Sequence, residues 1–229
     1  MRIGVVASSG GSAFDSMRQI LADAGQGSYE YFVATDRSCG IEALCRQNKI
    51  QHQRFEIADN GEFSRSAADW FESFGGVDIV LLYFLRLVTG EIYNRFATFN
   101  IHPSLLPAFR GFNPIERAFR QQVRFLGATA HLVNEKPDGG PLVAQVTMPV
   151  GPATSMDQFR KYSFIQKVYL SVLLVEMRRH GLFRRDSAGQ IVVSPDLPIT
   201  DRCNPRIECG ELWKTLLQFQ TEQGVEVLR

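Results

Sequence analysis

The chain has 229 residues, 45% of them hydrophobic and 21% charged, with 25 Lys and Arg against 24 Asp and Glu. That length supports one sizeable core, or one domain with a small appendix, in the composition range of soluble globular enzymes. A formal net charge of +1 excludes a general electrostatic affinity for nucleic acid, and no run approaches the ~20 apolar residues of a membrane-crossing helix.

Residues 2–7 (RIGVVA) form a short apolar run that ends in the turn-forming SSGGS. Phe14, Met17, Ile20 and Leu21 then recur at helical spacing. Next come YEYFVAT (29–35) as strand, IEALCRQN (41–48) as helix and QHQRFEI (51–57) as a weaker strand. FSRSAADWFESF (63–74) reads as helix, VDIVLLYFL (77–85) as a buried strand, and FATFNI as a further strand. Continuous apolar runs alternating with amphipathic helices predict an α/β fold, with a Rossmann-like open, mostly parallel sheet covered on both faces.

The second half changes character. GATAHLVN (127–134) and PLVAQVTMPV (141–150), joined through a Gly-Gly turn, predict a late antiparallel hairpin. A long helix over 155–180 carries Phe159, Tyr162, Ile165, Val168, Tyr169, Val172 and Val175 on one face. Residues 1–183 are expected to form the catalytic domain. Residues 184–229 form a C-terminal extension of unassigned role, with a short helix around ELWKTLLQFQ, and read as a surface appendix. Arg178, Arg179, His180, Arg184 and Arg185 cluster at the end of the long helix, where basic residues satisfy the helix dipole.

The start, MRIGVVASSGG, lacks the longer apolar region and small-residue cleavage site of a secretion signal, so the cytoplasm is the expected location. Cys39, Cys45, Cys203 and Cys209 lack C-x2-C spacing and read as reduced, inert thiols. No metal site is expected.

In open α/β sheets ligands bind beyond the carboxyl ends of the strands. That edge gathers SSGGS, YFLRLV and the loop NIHPSLLP. Among four histidines, His102 stands out because Asn100 is two residues away at a strand end, where i and i+2 share a face. An amide donor and an imidazole suit oxyanion stabilisation and proton transfer. His131, by contrast, reads as a structural hydrogen-bonder inside a strand. Asp138, in NEKPDGGP, is the carboxylate best placed to support His102; a plain Asp-Gly turn is the alternative reading. Gly10, Gly11 and Ser12 could cradle a phosphate through backbone N–H groups, or simply form a strand-to-helix turn.

With these residues set out, FNIHPSLLPAFRG, GATAHLV and DGGPLVAQ together resemble the folate-dependent formyltransferase family over residues 2–182. The SSGGS start is most similar to the glycinamide ribonucleotide branch. The resemblance implies the formyltransferase fold and 10-formyltetrahydrofolate as formyl donor. The acceptor would be a small amine, glycinamide ribonucleotide by default. Another amine, phosphorylated or nucleotide-linked, is an alternative. So is hydrolysis by a formyltetrahydrofolate deformylase, of which LPAF and VRFLGATAH are reminiscent; that enzyme carries an N-terminal regulatory domain, and this chain starts at the first strand. No nucleic-acid partner is expected, and the assembly would be a monomer or homodimer.

By the same resemblance Asn100 would donate to the developing oxyanion and His102 would move the proton. Asp138, directly or through a water, would hold His102 charged. The pterin would lie against Leu85, Arg86, Leu87, Val133, Asn134 and Asp138, with Arg65 and Arg86 suited to the folate's glutamate carboxylate. Gly10, Gly11, Ser12, Pro103 and Lys167 would take the acceptor. Three features depart from the glycinamide ribonucleotide pattern on that side: Ala13 replaces an asparagine, Lys167 replaces a glutamate, and RGFNPIERAF resembles the transfer-RNA enzyme.

Overall fold

The computed structural model describes residues 1–25, 27–185, 191–193 and 197–228. The first half of the chain runs β1 (Arg2–Ala7), α1 (Ser12–Asp23), β2 (Glu30–Thr35), α2 (Gly40–Gln47), β3 (Gln51–Arg54), α3 (Asn60–Ser73), β4 (Ile79–Tyr83), α4 (Gly90–Tyr93) and β5 (Thr98–His102). Then follow α5 (Pro114–Arg120), β6 (Phe125–Leu132), β7 (Leu142–Pro149), α6 (Met156–Arg179), β8 (Phe183–Arg185), β9 (Ile191–Val193), β10 (Cys203–Asn204) and α7 (Gly210–Glu222).

These elements fall into two compact units. The first comprises Met1–Asp15, Gly27–Asn100 and Leu132–Pro141; the second comprises Ser16–Gln26, Ile101–His131 and Leu142–Arg229.

In the first unit every strand pair is parallel, in the order β5-β4-β1-β2-β3. The chain builds β1 to β3 in one direction, then returns to lay β4 on the other side of β1. That reversal makes the carboxyl ends of β1 and β4 the switch point where such sheets bind ligands. Val6, Phe32, Phe63, Phe71, Val80, Leu82, Ile92 and Phe96 form a buried cluster with α3 and α4 on one face of the sheet. Helix α3 starts at Asn60, three residues ahead of the apolar pattern, because Asp59 caps it: its carboxylate accepts from Glu62 N at 2.8 Å. The strand expected over 51–57 stops at Arg54.

In the second unit β6 and β7 pair antiparallel, as the Gly-Gly turn predicts, and β10 adds to β7 antiparallel. The long helix begins in a complete capping box, Ser155 with Gln158. It differs from its expected one-sided pattern, because Val168 to Met177 are all buried. A helix apolar around its circumference packs inside rather than along a surface. The segment beyond residue 197 does not lie on the surface either. Cys203, Ile207, Leu212, Leu216, Val227 and Leu228 are buried, and Tyr169 Oη donates to Pro205 O at 3.0 Å. Gln220 Oε1 accepts from both Val227 N and Leu228 N, at 2.8 and 2.9 Å.

Of the basic cluster, His180 Nε2 lies 3.0 Å from Glu176 Oε1 at the end of α6; the side chains of Arg184 and Arg185 lie outside the described residues.

Candidate active site

The first unit holds Asn100 and Asp138. Asn100 pairs in register with Leu82 of β4, at the carboxyl end of the parallel sheet, and its Nδ2 approaches Asp138 Oδ1 at 3.5 Å. The loop that brings Asp138 there is fixed by its main chain: Val133 N donates to Thr98 O, Leu132 N to Pro141 O and Gly139 N to Lys136 O, each at 2.9 Å. Asn134 Oδ1 accepts from Lys136 N at 3.0 Å. Asp138 itself sits in the left-handed region at φ 50°, a conformation aspartate tolerates better than most side chains. Gly140 is required for a different reason, since a Cβ there would collide with the carbonyl oxygen of Leu132.

The same unit carries the SSGGS loop. Ser9, Gly10 and Ser12 are exposed, while Gly11 is buried at φ +80°, with Ile41 where a side chain would go. Ser8 Oγ accepts from Leu85 N at 3.3 Å, which links this loop to the one after β4. Beside it lies Asp36, 7% exposed, its carboxylate 2.6 Å from Arg37 Nη2 and 3.6 Å from Arg86 Nη1. Burial would raise the Asp36 carboxyl, but hydrogen bonds from Arg37 and Ser8 outweigh it and hold the group below the ordinary carboxylate range.

Leu85 and Leu87 are 65% and 56% exposed and offer the apolar surface a flat ring would cover. Arg86, between them, turns inward. Its guanidinium donates to Ile57 O, Ala58 O and Asn60 Oδ1 and lies over the rings of Phe63 and Phe84. Those bonds fasten the turn ahead of α3. Arg65 is exposed and pairs with Glu91 at 2.9 Å.

The second unit holds His102, Pro103 and Lys167. His102 is 5% exposed, and its Nε2 is 2.9 Å from Phe109 O. A carbonyl oxygen only accepts, so Nε2 carries the hydrogen in this contact, and in the neutral ring Nδ1 is the basic nitrogen. The loop that follows is anchored by side chains. Thr129 Oγ1 donates to Ser104 O at 2.7 Å and accepts from Leu106 N at 3.0 Å; Gln145 Nε2 donates to Leu106 O and to Thr129 Oγ1. Ser104 Oγ donates to Ala108 O. Thr129 and Gln145 were missed in the sequence, where each reads as one more residue of a hairpin strand. Lys167, on α6, has its ammonium pushed down by burial, and Pro103 is half-buried.

Among the described residues no group of three or more His, Cys, Asp or Glu could hold a metal ion, and no helix is long and apolar enough to cross a membrane.

Residues 1–169 match the family model described as formyl transferase. The chain belongs to the formyl transferase family. It is 32% identical over 133 residues to the phosphoribosylglycinamide formyltransferase of Haemophilus influenzae, a match covering 57% of this chain and 63% of that enzyme. It is 34% identical over 131 residues to a formyltetrahydrofolate deformylase of Escherichia coli, covering 56% of this chain and 47% of that enzyme. The matches thus span less than two thirds of these curated relatives. The solved glycinamide ribonucleotide transformylase 1 of Symbiobacterium toebii superposes with a TM-score of 0.75 at 24% identity, over 85% of this chain and 94% of that one. At that identity the likeness establishes the formyl transferase fold: a mostly parallel sheet with antiparallel late strands and the long α6.

Proposed function

We propose that the chain transfers a formyl group from 10-formyltetrahydrofolate to the amine of a small acceptor, with glycinamide ribonucleotide as the default acceptor. Family membership supports the donor. The curated relatives divide between a transferase and a hydrolase, so the acceptor rests on the transferase relative and on the SSGGS loop.

The observation that carries the reading is the approach of Asn100 Nδ2 to Asp138 Oδ1 at the carboxyl end of β5. An amide nitrogen has two hydrogens. With one aimed at Asp138, the amide is held in a fixed orientation, and the second can meet the formyl oxygen.

In the proposed reaction the acceptor nitrogen attacks the formyl carbon and a new C–N bond forms. The carbonyl electron pair moves onto oxygen, where the Asn100 amide stabilises the oxyanion. His102, the alternate residue of β5, takes a proton from the attacking nitrogen and returns one to the folate nitrogen as its bond to the carbon breaks. Leu85, Leu87, Val133 and Asn134 are proposed to border the pterin. Arg65 is proposed to meet the glutamate carboxylate; Arg86, committed to Ile57, Ala58 and Asn60, is proposed to shape that surface rather than bind charge. Gly10, Gly11, Ser12, Pro103 and Lys167 are proposed to take the acceptor.

The test is a mass-spectrometric screen of amines, glycinamide ribonucleotide included, with 10-formyltetrahydrofolate. The expected result is one formylated amine formed in step with tetrahydrofolate. A second reading, hydrolysis, is favoured by the identity to deformylases. Formate released at the full rate without any amine would establish it in place of transfer.

A further inference from the structure

The turn that follows Pro107, within the second unit, brings a carbonyl to His102. Phe109 lies in the left-handed region at φ 54°, and Gly111 follows at φ 82°. Glycine adopts that region freely, whereas a phenylalanine there is strained and persists only where its surroundings hold it. The conformation sets Phe109 O 2.9 Å from His102 Nε2. The carbonyls on either side are also engaged: Ala108 O accepts from Ser104 Oγ, and Arg110 O accepts from Arg117 Nη1 at 2.6 Å.

Arg117 meets this turn twice. Besides the bond to Arg110 O, its guanidinium lies over the Phe109 ring, 5.6 Å from the ring centre, which is the geometry of a cation–π contact. One side chain thus grips both the residue with the left-handed backbone and the peptide just after it. The grip has a fixed base. Arg117 sits in the middle of α5, its main-chain N donates to Asn113 O at 3.0 Å, and α5 packs on α6 edge-to-face through Phe119 and Phe159, ring centres 5.3 Å apart. Glu116, the neighbour of Arg117 in sequence, pairs with Arg160 at 3.6 Å instead.

We propose that Arg117 is a positioning residue for formyl transfer: by clamping Phe109 it fixes the neutral His102 ring as the Nε2–H tautomer. The inference rests on the proposed role of His102 in moving the proton. With Phe109 O in place the hydrogen stays on Nε2, and Nδ1 keeps the lone pair that takes the proton. Without the clamp Phe109 relaxes toward an ordinary backbone conformation and its carbonyl turns away. The neutral ring then divides between two tautomers, and the one with its hydrogen on Nδ1 accepts no proton there. The loss falls on proton transfer, not on the binding of donor or acceptor.

Two readouts on Arg117→Ala test it. Long-range proton–nitrogen NMR correlations of the full chain, recorded without donor or acceptor at a pH where the ring is neutral, read the His102 tautomer directly. The parent should show Nε2–H and the variant a mixture. In the formyl-transfer assay kcat should fall about 10- to 100-fold, while KM for the amine changes by less than about twofold. Arg117→Lys keeps the charge and a donor but lacks the planar fork, and should recover part of both losses. Should the alanine variant fail to fold, the lysine variant decides, since its tautomer must still be more mixed than the parent's. A parent-like tautomer, a mixed tautomer with unchanged kcat, or a loss confined to KM would each overturn the inference. Parent-like turnover in His102→Ala would instead strike the reaction reading itself, and this inference with it.

Discussion

Two loops, one following His102 and one holding Asp138, are stiffened by opposite means. Residues 103–110, in the second unit, hang on the side chains of Thr129 and Gln145. Residues 133–141, in the first, hang on their own main chain, with Gly140 lying against Leu132 O. The first kind of anchoring depends on the identity of residues some 23 to 39 positions away along the chain. The second runs through main-chain groups, one of them Thr98 O on β5, and requires only that one position carry no side chain.

That contrast can be broken at either loop. The largest expected effect belongs to His102→Ala, which should lower kcat/KM for formyl transfer by ~10² to 10⁴; unchanged turnover would remove the imidazole from the mechanism. Gly140→Ala comes next. Because its Cβ meets backbone rather than a flexible side chain, the cost should be about 3 kcal/mol or more, visible as a Tm drop of roughly 6–12 °C. A melting temperature within a degree of the parent's would show that the loop yields. Thr129→Val conserves shape but strands Ser104 O and Leu106 N, at about 2–4 kcal/mol. Thr129→Ser should recover most of that loss in a urea melt, and a serine variant as unstable as the valine one would assign the effect to packing instead.

The smallest effect is electrostatic. The Asp36 carboxyl, with burial raising it but the Arg37 and Ser8 hydrogen bonds prevailing, is held below its ordinary value. The stability it adds is complete above its unfolded pKa of about 3.9 and is lost as pH falls through the lower folded value. Chemical melts from about pH 5 downward should therefore flatten in Asp36→Asn. An unaltered profile would place the acid sensitivity elsewhere.

How much of this was legible in the sequence follows from the same distinction. VDIVLLYFL announced β4 because a strand buried on both faces must be apolar throughout, and the apolar spacing from Phe159 to Val175 announced α6. Helix α5 carried a signal that went unread, a proline at its first turn after Asn113. Strand β10 is two residues long and has no period to detect. The all-round burial of α6 was hidden because partners such as Pro205 and Trp213, both against Tyr169, come from a segment that reads as a surface appendix.

At the candidate site, Asn100, His102 and Asp138 were nameable because amide, imidazole and carboxylate are chemically conspicuous beside turn residues. Thr129 and Gln145 were not, since a hydroxyl and an amide inside strands look alike whether they face loop or solvent. Arg86 shows the opposite hazard: a guanidinium in a binding loop suggests an anion, yet its hydrogen bonds go to its own chain.

The encased middle of α6 has a consequence for how the chain would be followed in solution. With Val168 to Met177 buried on every side, the peptide hydrogens of that stretch should be among the slowest to trade for deuterium, releasing only in the largest opening events of the second unit. That stretch would serve as an internal clock against which faster exchange at either reacting loop could be timed.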